Sequence, residues 1–349
     1  MKTSEKPDIR DLSLNELMEF FTRIGEKTFR AKQVYEWLWK KCARSFNEMT
    51  NLSKPIRLQL AENYTFQSVT LNSFVQSADE TIKCAFRLYD GKLVEGVLIP
   101  TENRVTACIS SQVGCALDCQ FCATGKLGFS RNLHFAEIFD QVAMLTTLSV
   151  EKYGIPLSNI VYMGMGEPLL NYENVMKSVE RITATDGLGM SPQRITVSTS
   201  GLPTMIQKLA DDGARFNLAL SLHSANDRKR SQMMPVNQKN PLPKLTEALK
   251  YYHQKTGMRI SIEYILFGRI NDSLADAKEL AAFCRNFPVK VNIIEYNTVS
   301  DISFVKTTDQ QLGEFVAFLE SRNMVVNVRR SRGNDIGAAC GQLANRLQN

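Results

Sequence analysis

Beyond Arg104 the chain alternates short apolar runs with longer amphipathic segments, and this alternation most constrains the fold. A strand followed by a helix and a second parallel strand requires a right-handed crossover, so repeated alternation predicts a parallel sheet. Six such units predict an α/β fold built on a partial (β/α)6 barrel, and a doubly wound sheet is the alternative. The predicted strands are 105–109, 159–163, 194–198, 215–222, 259–266 and 289–296, the clearest amphipathic segments are 135–148 and 275–287, and a further apolar run spans 324–329.

The chain before Arg104 shows other patterns. Leu14, Leu17 and Phe21 recur at steps of three and four, which predicts amphipathic helices. Short β-rich runs then flank a turn at Asp90, a pattern typical of a hairpin. We therefore expect three parts: a small N-terminal helical accessory domain over residues 1–65, a β-hairpin connector over 66–103, and the partial barrel with a C-terminal cysteine loop over 104–349.

Composition limits the class of protein. With 349 residues, 44% of them hydrophobic, the chain can build a large core. The charged N-terminus and the lack of an apolar run of about 18 residues predict a soluble, cytoplasmic protein without a membrane span. The formal charge of +6 is compatible with a polyanionic partner. Eight cysteines in such a protein favour metal or redox chemistry over a disulfide framework.

A triplet of cysteines follows the first predicted barrel strand. Cys115, Cys119 and Cys122 have the spacing CxxxCxxC. Three thiolates can hold three irons of a [4Fe–4S] cube and leave the fourth iron open to a small ligand such as S-adenosylmethionine (SAM). Zinc is the alternative, but the nearest further ligands, Cys108 and His134, lie outside the usual short spacings. The spacing therefore favours an iron–sulfur cluster with one open iron.

This loop, with Phe121 before its last cysteine, resembles the hallmark of the radical SAM superfamily. Further motifs resemble the bacterial dual-specificity RNA adenine-C2 methyltransferases, and the resemblance runs from the N-terminal helices to the last residues. It implies a radical SAM fold, a [4Fe–4S] cluster and SAM as cofactors. The motifs are SSQVGC at 110–115, GFSRNL at 128–133, MGMGEPLLN at 163–171 and DIGAACGQL at 335–343.

The resemblance also implies a set of SAM-binding residues. Gly166 and Glu167 follow the second predicted strand and match the family's contacts to the SAM amino group. Taken alone, such a segment is more typical of an ordinary βα turn, but its place after a barrel strand favours ligand binding. The other matching positions lie at the ends of later strands and are Ser198, Ser221, Leu222, His223 and Asn297.

Three more residues have catalytic roles in the resembled family. Cys340 takes a methyl group from one SAM molecule, and a 5′-deoxyadenosyl radical from a second SAM then removes a hydrogen atom from that S-methyl group. The resulting carbon radical adds to adenine, Glu95 removes the ring proton, and Cys108 attacks the Cys340 sulfur, which releases the product and leaves a disulfide. Without the resemblance, the two cysteines would be read as small apolar residues.

The leading hypothesis is methylation at C2 of adenosine in 23S rRNA, at the peptidyl-transferase centre, and in tRNA next to the anticodon. An electron donor such as flavodoxin and a monomeric state are expected, and Arg329, Arg330 and Arg332 are candidate phosphate ligands. One alternative is a C8-methylating relative that confers antibiotic resistance, although Pro168 favours the C2 group. The others are a non-catalytic RNA-binding iron–sulfur protein and a radical enzyme with a small-molecule substrate. The chain departs from the family pattern after Asn297 and over 300–308, on the substrate side.

Overall fold

The computed structural model describes residues 6–299 and 302–344. The first five residues and the beginning of the divergent 300–308 connection lie outside the described part. No described helix is both long enough and apolar enough to cross a membrane.

Three helices form the N-terminal region, as the apolar periodicity predicted. They are α1 (Leu14–Arg23), α2 (Phe29–Trp39) and α3 (Lys54–Asn63). Helix α1 begins at a capping box, in which the Ser13 side chain accepts a hydrogen bond from the Glu16 backbone and the Glu16 carboxylate accepts one from the Ser13 backbone.

A ten-stranded sheet forms the centre of the molecule, in the order β1-β2-β3-β4-β7-β8-β9-β10-β11-β12, and β5 and β6 form a separate pair. The strands are β1 (Thr70–Gln76), β2 (Ile82–Arg87), β3 (Leu93–Thr101), β4 (Arg104–Cys108), β5 (Gln112–Gly114), β6 (Phe129–Asn132), β7 (Asn159–Tyr162), β8 (Ile195–Thr199), β9 (Asn217–Ser221), β10 (Ile260–Leu266), β11 (Val289–Glu295) and β12 (Val326–Arg329). The later helices are α4 (Ala123–Lys126), α5 (Phe135–Tyr153), α6 (Tyr172–Thr183), α7 (Pro203–Asp211), α8 (Asp227–Met233), α9 (Val236–Lys239), α10 (Leu242–Thr256), α11 (Leu274–Cys284) and α12 (Asp309–Glu320).

All strands from β4 to β12 in the large sheet pair in parallel and in the order of the chain. A doubly wound sheet reverses its strand order part-way, so this sequential order excludes that alternative and confirms the partial barrel. All six predicted barrel strands are present. The run at 324–329 adds a further parallel strand, β12, which the count of six had not included.

The β-rich segment before the barrel contains the predicted hairpin and further strand pairings. Strands β2 and β3 form the predicted antiparallel pair, but β1 pairs with β2 and β3 pairs with β4. The segment thus extends the barrel sheet by three strands, because the hydrogen bonds of β3 continue into β4.

The N-terminal helices are fixed to the barrel through α5. Arg10 is buried and forms ion pairs of 2.8 Å with both Asp8 and Asp140, and Asp140 lies on α5. Beside it, the Trp39 ring stacks on Phe135 with ring centroids 5.7 Å apart. Because a buried charge needs a partner, this ion-pair group holds the two regions in a defined arrangement.

We expect Arg10→Ala to lower the free energy of unfolding by about 3–5 kcal/mol, because it leaves two buried carboxylates without their cation. Urea denaturation of the wild type and the variant measures the difference. Arg285→Ala is the matched control, since Arg285 is exposed and follows α11, and a surface change of this kind costs at most about 0.5 kcal/mol. Equal losses in the two variants would contradict this account of the Arg10 group.

Candidate active site

The cysteine triplet lies in a loop between β5 and α4, near the carboxyl ends of the barrel strands. Gly114 begins the loop with φ +75°, and a Cβ atom added there would lie 1.8 Å from the carbonyl oxygen of Gly128. That carbonyl accepts a 2.9 Å hydrogen bond from the Cys115 backbone. Only glycine allows so close an approach together with a left-handed backbone.

The three cysteine thiols are near enough to influence one another. Burial, followed by the neighbouring thiols, raises the pKa of Cys119 well above its usual value, and burial raises the pKa of Cys115 to about 11. Among the described residues, no three or more His, Cys, Asp or Glu side chains gather closely enough to hold a single metal ion. Zinc at this loop would need a fourth ligand beside the three thiols, whereas three thiolates suffice for a [4Fe–4S] cluster with one open iron.

Apolar and aromatic side chains surround the loop. The Phe121 ring is buried and packs edge-on against the His223 ring at 5.0 Å, and it also contacts Phe267 at 5.1 Å. His223 has φ +53°, and its Nδ1 accepts a hydrogen bond from the Ile265 backbone. Burial and the nearby Arg230 lower the pKa of His223 to about 3, so the imidazole is neutral at physiological pH.

Glu167 lies in the same cavity as the three cysteines. Its carboxylate accepts 2.8 Å hydrogen bonds from the backbone and hydroxyl of Ser200 and a 3.1 Å bond from the Leu169 backbone. Burial raises the pKa of Glu167, and the Ser200 hydrogen bonds oppose that rise. The preceding Gly166 has φ +98°, and an added Cβ would lie 2.5 Å from the Gln112 side chain.

The predicted SAM-binding residues do not all reach one cavity. Ser198, Ser221 and His223 line the cavity of about 160 Å³ beside the cysteines. Leu222 is instead fully buried in the core, with its backbone N–H bonded to Glu263. Asn297 lines a neighbouring, larger cavity.

Sequence reasoning missed three polar residues of this site: Ser200, Arg230 and Glu263. Arg230 is fully buried and donates to the carbonyls of Leu222 and Ser200 and to the Asn237 side chain. Glu263 accepts a 2.6 Å hydrogen bond from Asn292. The only sequence signal for Glu263 was a charged residue within an otherwise apolar strand.

Cys108 and Cys340 line the larger cavity together, although 232 positions separate them (340 − 108 = 232). Cys108 is buried, and burial together with the nearby Cys340 raises its pKa to about 12. Desolvation also raises the pKa of the Cys340 thiol, and Arg329 opposes that rise. Cys122, Cys340 and Arg329 line both cavities, so the two cavities adjoin at the cluster loop.

Glu95 is fully buried on β3, and its carboxylate lies 3.7 Å from the Lys83 ammonium. Its Oε2 accepts a 2.8 Å hydrogen bond from the Ala344 backbone. In the β3–β4 ladder Val97 pairs with Cys108, so Glu95, two residues earlier, faces the same side of the sheet as Cys108.

Comparisons with known proteins agree with this architecture. Family models match residues 7–66 (ribosomal RNA large subunit methyltransferase N-terminal domain) and residues 109–284 (radical SAM superfamily). A probable dual-specificity RNA methyltransferase RlmN from Cytophaga hutchinsonii is 53% identical over 97% of this chain and 93% of its own. This chain belongs to the RlmN family.

Other RlmN-like proteins agree over the whole length. A probable RlmN from Christiangramia forsetii is 54% identical, with 98% of this chain and 97% of its own covered. The crystal structure of a radical SAM methyltransferase from Sphaerobacter thermophilus superposes with a TM-score of 0.91 at 40% identity, and the match covers 97% of this chain and 99% of that one. The chain therefore has the full radical SAM methyltransferase fold, including the N-terminal helices.

We expect Gly114→Ala to unfold at lower urea concentration than Gly154→Ala. Both glycines have nearly the same positive φ, +75° and +72°, but an added Cβ meets nothing within 4 Å at Gly154. The control therefore measures backbone strain alone, about 1 kcal/mol. Equal midpoints would show that the Gly128 carbonyl does not restrict the cysteine loop.

The buried neutral His223 predicts a pH dependence of stability. Between its folded pKa of about 3 and its ordinary pKa of 6.5, only the unfolded chain takes up this proton, so stability falls as the pH is lowered through that window. His223→Asn keeps an acceptor and a side chain that tolerates positive φ. Stability of the variant, measured by urea denaturation from pH 7 to pH 5, should fall less steeply than that of the wild type by up to about 1.4 kcal/mol per pH unit. If the free energy of unfolding changed equally with pH in the wild type and the variant, His223 would not be the group that causes the pH dependence.

Proposed function

We propose that this chain methylates C2 of adenosine in 23S rRNA, at the peptidyl-transferase centre, and in tRNA next to the anticodon. The observation that carries the proposal is the shared cavity in which Cys108 and Cys340 lie beside Cys122 of the cluster loop. Membership of the RlmN family, whose members bear the name dual-specificity RNA methyltransferase, supports the choice of RNA as substrate.

Cys115, Cys119 and Cys122 would hold a [4Fe–4S] cluster, and Glu167 would orient the amino group of SAM. The two cofactors together supply one-electron cleavage of SAM when they are bound. The buried phenyl rings of Phe121 and Phe267 contact each other and exclude water from this side of the cavity. Ser198 and Ser221 place hydroxyl groups on the same cavity wall, where they suit the polar parts of SAM.

Two cysteines and a carboxylate provide the route to carbon 2. This sp² carbon is not nucleophilic, so direct transfer of a methyl cation cannot reach it. Cys340 therefore first accepts the methyl group on sulfur, and with both cofactors bound the radical that SAM cleavage would supply would take one hydrogen atom from it, so that the methylene carbon bonds to carbon 2. Glu95 takes the proton from carbon 2, and the remaining unpaired electron would pass to the cluster. Cys108 then attacks the Cys340 sulfur and breaks its bond to the methylene carbon, which takes up a proton and becomes the methyl group, while the two cysteines form a disulfide. Glu95 becomes available as a base when its hydrogen bond from Ala344 opens.

The proposed function also assigns roles to the domains and requires an electron donor. We assign residues 1–65 as an RNA-contacting accessory domain, 66–103 as the connecting β segment, and 104–349 as the catalytic domain. A flavodoxin-like protein would supply electrons to a monomeric enzyme in the cytoplasm. The choice of C2 over C8 is supported by the resemblance at Pro168, which begins the buried turn after Glu167.

Cys340→Ala should abolish RNA methylation, and the wild type should show a mass increase of one methyl group at Cys340. The measurements are intact mass with peptide mapping, and mass spectrometry of nucleosides from RNA treated with the anaerobically reduced enzyme, where 2-methyladenosine is expected. Cys284→Ala is the matched control, because this thiol is buried at the end of α11 and lines neither cavity.

The outcomes separate the rival functions. Formation of 8-methyladenosine would favour the antibiotic-resistance relative. Full methylation by Cys340→Ala would eliminate the methyl-cysteine route. A reduced protein that forms no 5′-deoxyadenosine would indicate a non-catalytic iron–sulfur protein that binds RNA.

A further inference from the structure

The larger cavity extends well beyond the reacting cysteines. It has a volume of about 630 Å³, and its lining includes both ends of the same strand, Arg104 as the first residue of β4 and Cys108 as the last. A strand of this length spans about 13–16 Å. The first residues of β7 and β9, Asn159 and Asn217, line it as well. The cavity therefore runs through the barrel from the cysteines to the amino-terminal edge of the parallel strands.

The charged side chains that line this cavity are all positive among the described residues. No Asp or Glu is among its described lining residues, whereas Arg104, Lys290, Arg329, Arg330 and Arg332 are. Within residues 6–299 and 302–344, Lys290 and Arg330 form neither an ion pair nor a side-chain hydrogen bond, and Arg104 bonds only to Thr101. Arg332 is paired with Asp79, and Arg329 lies 3.5 Å from Glu263. The uncompensated cations thus include Arg104 and Lys290, at the amino-terminal edge.

Uncharged polar side chains line the cavity at the same edge as these cations. Asn217 donates both amide hydrogens to the carbonyls of Gln193 and Ile195, at 2.7 and 3.2 Å. Its carbonyl oxygen is therefore the part of the side chain that can accept a hydrogen bond from a ligand. Amide acceptors of this kind suit the exocyclic amino group of a purine.

The opposite, carboxyl-terminal edge is covered by the chain itself. The Ala123 backbone donates to Gly341 at 2.8 Å, and the Thr124 hydroxyl donates to Leu343 at 2.7 Å. These bonds close the cysteine loop against the C-terminal segment. A long polyanion reaching Cys340 from that edge would have to displace them.

We propose that the RNA strand carrying the target adenosine enters the barrel from the amino-terminal edge of the parallel strands. Lys290 and Arg104 bind the phosphates that flank the target nucleotide, and the base extends inward past Asn217 to Cys108 and Cys340. A cavity of this size holds one nucleotide and excludes a duplex, so the adenosine must leave its stack. This inference rests on the proposed function, since it assumes that RNA is the substrate.

The test measures RNA affinity for three charge-reversal variants. Lys290→Glu reverses a cation at the amino-terminal edge, Lys126→Glu reverses one on α4 at the cysteine loop, and Lys250→Glu reverses an exposed control on α10. The probe is a fluorescent RNA hairpin with an unpaired adenosine, titrated at several salt concentrations, and thermal melting checks that each variant is folded. We expect Lys290→Glu to raise Kd about tenfold and to reduce the slope of log K against log salt by about one. Lys126→Glu and Lys250→Glu should bind like the wild type.

Arg104→Glu provides an independent variant at the same edge and should weaken RNA binding as Lys290→Glu does. Wild-type affinity and slope in both edge variants would overturn the proposed strand path. A loss in Lys126→Glu equal to or larger than that in Lys290→Glu would also overturn it and would place the RNA at the cysteine loop. Methylation of wild-type Cys340 by SAM, read by intact mass without RNA, tests the proposed function separately. If Cys340 is not methylated, the proposed function fails, while the RNA titrations still test the strand path independently.

Discussion

Hydrogen bonds to two other parts of the chain, the β1–β2 turn and the cysteine loop, hold the C-terminal segment across the open side of the barrel, and the candidate active site depends on them. The Ser77 hydroxyl donates to Asp335 at 2.5 Å, the Gly333 backbone donates to Asp79 at 3.0 Å, and the cysteine loop binds the segment beyond Cys340. The segment leaves β12 and contacts the β1–β2 turn, so it spans the gap between the two ends of the parallel wall. Because of this path, Cys340 lies over the same cavity as Cys108.

The surroundings of the cysteines combine burial with a few fixed polar groups. Arg230 is a fully buried cation whose pKa is lowered to about 10 by burial, and it is bonded to carbonyls at the ends of β8 and β9. Such a group is costly to bury unless its donors are satisfied. It therefore fixes the strand ends that carry the Ser198 and Ser221 hydroxyls, and a preorganised wall of this kind favours ligand binding.

Much of the fold was predictable because it depends on local patterns. The six barrel strands and the N-terminal helices follow from apolar periodicity, and the structure confirms them. The strand β1 and the continuation of the sheet from β3 into β4 were missed, since edge pairing leaves no separate signal in a short amphipathic run. The burial of the Leu222 side chain in the core was also not predictable, because alternation along the chain does not specify how a residue after the strand turns.

The sequence by itself determined the spacing of Cys115, Cys119 and Cys122 and the parallel direction of the barrel strands, because each follows from residues close together along the chain. Only the tertiary structure decided that Cys108 and Cys340 line one cavity, that Ser200 binds Glu167, and that the barrel interior carries uncompensated positive charge. These features join residues that are distant in sequence, and their contacts depend on strand register and on the path of the C-terminal segment, which no local pattern encodes.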